Sequence, residues 1–126
     1  MTKTIIKPAG AAPAAGPYNH GVRVGDFLFC AGQIPVIPES GQLVAGDIRA
    51  QTERVLENVK LILKDQGLTM ANVVKSTVFM ANLADFAAMN EVYARYFTQD
   101  YPARSTVQVA ALPRTAQVEI EIVAHY

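Results

Sequence analysis

The chain has no tryptophan, one cysteine and two histidines. A lone thiol, Cys30, cannot close an internal disulfide, so the core must hold the fold, and a reducing compartment is favoured. His20, His125 and Cys30 are the soft ligands on offer, and none has the close spacing that holds zinc. Neither charge is in excess: 11 lysines and arginines balance 11 aspartates and glutamates, and they are dispersed. That leaves no electrostatic footprint for nucleic acid or an anionic membrane. No apolar run reaches the length of a transmembrane helix. The opening stretch MTKTIIKPAGAAPAAGPY has the small residues of an export signal, but its apolar part is short and is broken by Pro8 and Pro13. GxGxxG and GxxxxGK[ST] are missing, and the prolines of GAAPAAGP remove N–H donors that a phosphate would need. The expectation is a single cytoplasmic domain, residues 1–126, long enough for one substantial core.

What is present is periodicity. Thr4–Ile6 reads as a short strand, followed by an Ala/Pro/Gly loop to Pro17. YNHGVRVG and DFLFCAGQ read as strands meeting at a Gly25-Asp26 turn. Asp47 can cap a helix whose stripe is Ile48, Thr52, Val55, Leu56, Val59, Ile62 and Leu63, with Gly67 suited to its C-terminal cap. Val73–Ala81 reads as a strand. A second helix is expected from Asn82, with Asp85 as a capping-box partner and Leu83, Phe86, Met89, Tyr93, Tyr96 and Phe97 on its apolar face. Asn90 points inward with them, either as a hydrogen-bonded core asparagine or as a site residue. YPARSTVQV and QVEIEIVAHY alternate as strands on either side of an LPRTA turn. Cys30 lies in an apolar run and reads as a small core residue, and His20 could line a pocket, with nothing to mark it as a base.

The resulting order, β-β-β-α-β-α-β-β, is an α+β layer in which two helices cover one sheet face. The other face is expected to carry Arg104, Thr106, Gln108, Glu119 and Glu121 beside Thr77 and Phe79. Such a face is too apolar for water and too charged for a private core, and a second subunit would cover it. Arg104 shares a face with Thr106 and Gln108, and Pro102 stiffens the approach to it. If the last two strands pair as neighbours, Arg104 and Glu119 share one polar face. They would then form an intrachain salt bridge, serve a ligand held between them, or meet across a subunit boundary. Arginine recognises a carboxylate bidentately and a nearby acid can deprotonate a water, so the pair suggests water addition to a small carboxylate substrate.

GPY (Gly16–Tyr18), AGQIPV (Ala31–Val36), NVVKSTVFMANLADFAAMNEVYARYF, PARSTVQVAALP and VEIEIVA, in that order, closely resemble the RidA (YjgF) family over essentially the whole chain. The resemblance implies a chorismate-mutase-like fold, a single mixed sheet with two helices on one face, assembled as a homotrimer with clefts between subunits. It implies hydrolysis of enamine/imine intermediates (2-aminoacrylate/2-iminopropanoate and 2-iminobutanoate) to 2-keto acids and ammonia with no cofactor, in keeping with the lack of metal-ligand spacing noted above. It also implies a functional link to pyridoxal-phosphate-dependent dehydratases, which release these intermediates; the balanced charge, for its part, leaves no nucleic-acid or membrane partner expected. Residue by residue, Arg104 matches the family's carboxylate-binding arginine, Glu119 its water-orienting glutamate and Tyr18 its cleft tyrosine. Asn90 and Gly32 match positions lining the cleft. The chain departs from many bacterial members in having Thr106 in place of cysteine and Ala31 in place of serine. The backbone N–H at Thr106 survives the first change, so substrate preference is where these departures bear. A sensor of small 2-keto acids is the competing reading, because it needs Arg104 but no water-orienting acid. Ribonuclease and chaperone-like activities, linked to proteins of this kind, have less physical support here.

Overall fold

The computed structural model describes residues 2–126. Its strands are β1 (Lys3–Ile6), β2 (Gly21–Val24), β3 (Phe27–Gln33), β4 (Val73–Met80), β5 (Ala103–Gln108) and β6 (Val118–His125), and its helices are α1 (Ile48–Asp65) and α2 (Phe86–Tyr96). They form one mixed six-stranded sheet in the order β1-β2-β3-β6-β4-β5. The expected order of elements is the observed one. The Gly25-Asp26 turn closes the β2–β3 hairpin with Val24 opposite Phe27, and Gly25 takes φ 59, which suits glycine.

Both ends of α1 form as their residues dictate. Asp47 accepts a hydrogen bond from Ala50 N at 3.1 Å. At the other end Leu68 N donates to Leu63 O and Gly67 N to Lys64 O, a Schellman closure with Gly67 at φ 72. The predicted stripe of α1 is buried throughout. It packs with Leu28, Val78, Met80, Met89, Val118 and Ile120 into one core between the helices and the inner sheet face. Full burial of each such side chain contributes about 1.5–3 kcal/mol.

The start of α2 corrects the expectation. Asn82 caps a 3₁₀ turn, Leu83–Asp85, by accepting from Ala84 N at 2.9 Å, and Asp85 makes no side-chain cap bond. Gln108 Oε1 supplies the missing acceptor, taking a hydrogen bond from Leu83 N at 2.8 Å. Leu83 and Phe86 are about two-fifths exposed, so the buried face of α2 is Met89, Val92, Tyr93 and the following Phe97.

The larger correction concerns strand pairing. β5 does not neighbour β6, because β4 lies between them, parallel to β5 and antiparallel to β6. Residues paired across a ladder point to the same side, and Arg104, Thr106 and Gln108 pair with Ser76, Val78 and Met80, all of them buried under the helices. Those three residues therefore face the helices. Glu119 and Glu121 pair with Phe79 and Thr77 and face outward. The outer face otherwise carries Ile5, Phe27, Phe29 and Val107, each about two-fifths to one-half exposed. A mixed, uncovered face exists as expected, without Arg104, Thr106 and Gln108 on it.

Candidate active site

The predicted site residues fall into two groups on opposite faces of the sheet. The first group lies at the free edge of β5 beneath α2. The Arg104 guanidinium carbon stands 4.7 Å from the Tyr93 ring centroid and 5.6 Å from that of Phe86. Tyr93 stacks on Phe97 with centroids 4.5 Å apart, and its hydroxyl is hydrogen-bonded to Ser76 Oγ at 2.7 Å. Among the described residues Arg104 forms no salt bridge; the one ion pair is Arg49–Glu91, at 2.9 Å between the two helices. A cation stacked on aromatic faces with no counter-ion is ready for an external carboxylate.

Backbone donors lie beside it. Val109 N donates to Met80 O. The even alternation of a parallel ladder carries that pattern back along β5, so the N–H groups of Arg104 and Thr106 point away from β4 to the open edge. Thr106 Oγ1 is buried without a hydrogen-bond partner. Asn90, half-buried on α2, stands one turn from both Phe86 and Tyr93.

The second group lies on the outer face, where β3 and β6 meet. The β3–β6 register shifts between Cys30 and Gln33, and Gly32 sits in that irregularity. A Cβ on Gly32 would overlap the Glu119 carboxylate and reach within 2.8 Å of its Cδ, so the carboxylate lies directly over the glycine backbone. Burial, with the nearby Glu121 charge adding to it, pushes the Glu119 carboxyl above the usual carboxylate range. Ala31 is half-buried, and its N–H is already committed to His20 O at 2.9 Å.

Tyr18 is about half exposed, and its hydroxyl accepts from Ala15 N at 3.3 Å. The loop that carries it is pinned by His20, whose Nε2 bonds to Ala12 O at 2.6 Å while Gln33 Nε2 lies 3.3 Å from its Nδ1. Both ring nitrogens are thus engaged, and the imidazole ties the loop to β3. A pocket of about 400 Å³ opens beside this loop, lined by Tyr18, His20, Gly32, Ile34, Leu61 and Arg114 among others. Cys30 is buried and its thiol is pushed up to about 12, consistent with a core residue.

Sequence reasoning named Arg104, Thr106, Asn90, Tyr18, Gly32, Ala31 and Glu119, and the structure does not bring all seven together in one chain. It gathers the first three about α2, sets Gly32, Ala31 and Glu119 where β3 and β6 meet, and leaves Tyr18 on the loop before β2, lining a pocket with Gly32. Tyr93, Phe86 and Ser76, which cradle Arg104, went unrecognised. The signal for two of them was present: Phe86 and Tyr93 are seven apart on α2, an aromatic stripe facing whichever strand packs beneath it.

Comparison with known proteins places this arrangement. Residues 9–126 match the family model described as endoribonuclease L-PSP. The chain is 47% identical to a RutC family protein of Pyrococcus abyssi, covering 99% of this chain and 98% of that one. It is 43% identical to the human 2-iminobutanoate/2-iminopropanoate deaminase, over 98% of this chain and 90% of that one. Among solved structures it superposes on Escherichia coli TdcF with bound serine at a TM-score of 0.92 and 44% identity, covering 98% of each chain. Its two helices on a mixed six-stranded sheet are the architecture of these proteins, and the chain belongs to the endoribonuclease L-PSP family, the RidA family that its motifs resemble.

Proposed function

We propose that the protein is a cytoplasmic, cofactor-independent deaminase that hydrolyses 2-iminopropanoate and 2-iminobutanoate to the 2-keto acids and ammonia. It would work as a homotrimer whose clefts lie between subunits. The observation that carries this reading is Arg104, stacked on two aromatic rings with no carboxylate partner, on the face of the sheet opposite Glu119. One chain cannot apply both groups to one small molecule. A neighbouring copy that covers the apolar outer face can, with Arg104, the Thr106 N–H and Asn90 of one subunit meeting Tyr18, Gly32 and Glu119 of the next. Serine bound in TdcF supports a small α-carboxylate ligand for this fold, and the deaminase relatives support the reaction class.

In this mechanism Arg104 takes the substrate carboxylate bidentately and the edge N–H of Thr106 completes its recognition. The imine carbon is thereby turned toward a water beside Glu119, which removes the entropic cost of bringing the two together. As the water oxygen bonds to carbon, Glu119 accepts a water proton and the C=N π electrons move to nitrogen, which is protonated. The carbinolamine then collapses: protonated Glu119 returns its proton to the amino nitrogen, the hydroxyl proton passes to solvent, C=O forms, and the C–N bond breaks to release neutral ammonia and ionised Glu119. A carboxyl held above its usual range is a better base for this than an ordinary one, because its affinity for the proton is closer to that needed at neutral pH. The endoribonuclease activity in the family's description has less support, because the chain carries no net positive charge to favour a polyanion.

The test is a coupled assay. A threonine or serine dehydratase generates the imine, and keto-acid formation is followed with and without this protein, while sedimentation at micromolar concentration reports the assembly. Acceleration over spontaneous hydrolysis by a species of three chains is expected. No acceleration, with 2-oxobutanoate still bound, would instead identify a sensor.

A further inference from the structure

The proposed reaction uses Arg104 but leaves unexplained what aims it. An arginine side chain has many rotamers, and an exposed one would give up most of that freedom on fixing a carboxylate. Three contacts remove that freedom in advance. Ser76 and Arg104 are cross-strand partners on β4 and β5, so their backbones are held side by side. Ser76 is fully buried, and its Oγ meets the Tyr93 hydroxyl at 2.7 Å. The Tyr93 ring, stacked on Phe97, lies 4.7 Å from the guanidinium carbon. The three residues close a triangle: ladder, hydrogen bond, cation–π contact.

We infer that the Ser76–Tyr93 hydroxyl pair is a positioning device that fixes the Arg104 guanidinium for carboxylate binding; this deepens, and rests on, the role proposed above for Arg104. A buried tyrosine hydroxyl needs a partner, and Ser76 is the polar side chain bonded to it. The pair therefore sets both the depth and the tilt of the ring, and the ring sets the plane of the fork. Burial pushes the Tyr93 phenol up, so it stays neutral and acts by orientation rather than by proton transfer. Because Arg104 holds the carboxylate in the ground state and the transition state alike, loosening it acts on KM more than on kcat.

The experiment compares Tyr93→Phe, Ser76→Ala and the double variant in the dehydratase-coupled assay, with calorimetric titration of 2-oxobutanoate and thermal melts alongside. Tyr93→Phe keeps the ring but frees it. It should raise both KM for the imine and Kd for 2-oxobutanoate about tenfold, with kcat within about threefold, a small share of the hundredfold that misplacement can cost. Ser76→Ala should shift both constants in the same direction. The double variant leaves no buried hydroxyl unpaired, so it should fold at least as well as either single variant and cost less than their sum. Unchanged KM and Kd in folded variants, even with a lowered melting temperature, would make the pair structural only and overturn the inference. If the single variants fail to fold, the Kd of the double variant decides in the same way. A wild-type protein that binds 2-oxobutanoate without accelerating hydrolysis sinks the deaminase reading but not this inference, which the Kd values still test. A wild-type protein that binds no carboxylate overturns it.

Discussion

The two faces of the sheet treat their charged residues in opposite ways. Under the helices, Arg104 stands on a ring that is 7% exposed and anchored to a serine that is fully buried. On the outer face, Glu119 lies over a bare glycine and Phe29 is 48% exposed, and Tyr18, on the loop before β2, is 48% exposed as well. The first environment is complete within one chain. The second is open: apolar side chains stand exposed on it and its carboxylate is only partly buried. Under the proposed function this difference divides the work: recognition of a fixed negative group would be built into the folded chain, whereas handling of water would wait for the subunit that closes over the outer face.

The hardest test of that division is Glu119→Gln. The isosteric amide cannot accept a proton, and kcat should fall about 10²–10⁴-fold with 2-oxobutanoate binding largely kept. In the wild-type protein, activity should rise with pH as Glu119 ionises, with a midpoint above the ordinary carboxylate range, and this limb should vanish in the variant. Stability supplies an independent sign. A carboxyl raised on folding favours the native state below its unfolded value and loses that advantage as pH rises through the folded value. At neutral pH the charged group is thus held at a cost, and Glu119→Gln should melt no lower than wild type.

Arg104→Lys comes next. Lysine keeps the charge but loses both the planar fork and the stacking on Tyr93, and kcat/KM should drop at least about a hundredfold. Near-normal activity would mean that the aromatic cradle is irrelevant. Gly32→Ala should be milder and more informative. The new methyl collides only with the end of a flexible side chain, so the melting temperature should hardly move while Glu119 is pushed aside and kcat falls about tenfold. A lost fold, or an unchanged rate, would break the link between glycine and carboxylate.

Thr106→Ala should do least. Its useful group is the edge N–H, which alanine keeps, and its hydroxyl is buried without a partner, an arrangement that costs about 1–3 kcal/mol. Activity within about twofold of wild type and an equal or higher melting temperature are expected. A correctly assembled but inactive variant would assign Oγ1 a role in the reaction.

Local signals in the sequence carried the elements well. The stripe of α1, its Asp47 and Gly67 caps and the Gly25-Asp26 turn rest on interactions within a few residues, which a one-dimensional reading can see. Alternation along β5 also correctly grouped Arg104 with Thr106 and Gln108. It could not say which way that group points, because period two fixes relative and not absolute facing. The assumption that consecutive strands pair then supplied the wrong answer. A strand, helix and strand in sequence, here β4-α2-β5, favours a crossover that lays β5 parallel to β4. Taking that rule first would have separated Arg104 from Glu119. The cradle of Tyr93 and Ser76 depended on that same long-range pairing, and Gln108 capping the turn before α2 links residues 25 apart. Such contacts leave no local trace.

Opposite facing has a consequence for chains that are mixed. If Arg104 and Glu119 of one cleft come from different subunits, two damaged proteins can repair each other. An Arg104→Lys chain still brings a sound Glu119, and a Glu119→Gln chain a sound Arg104. Unfolded together in equal amounts and reassembled, they should recover about a quarter of the wild-type activity, the share of clefts in a random cyclic assembly that draw each residue from the intact donor. Neither parent alone could do so, and a site contained within one chain would show no such rescue.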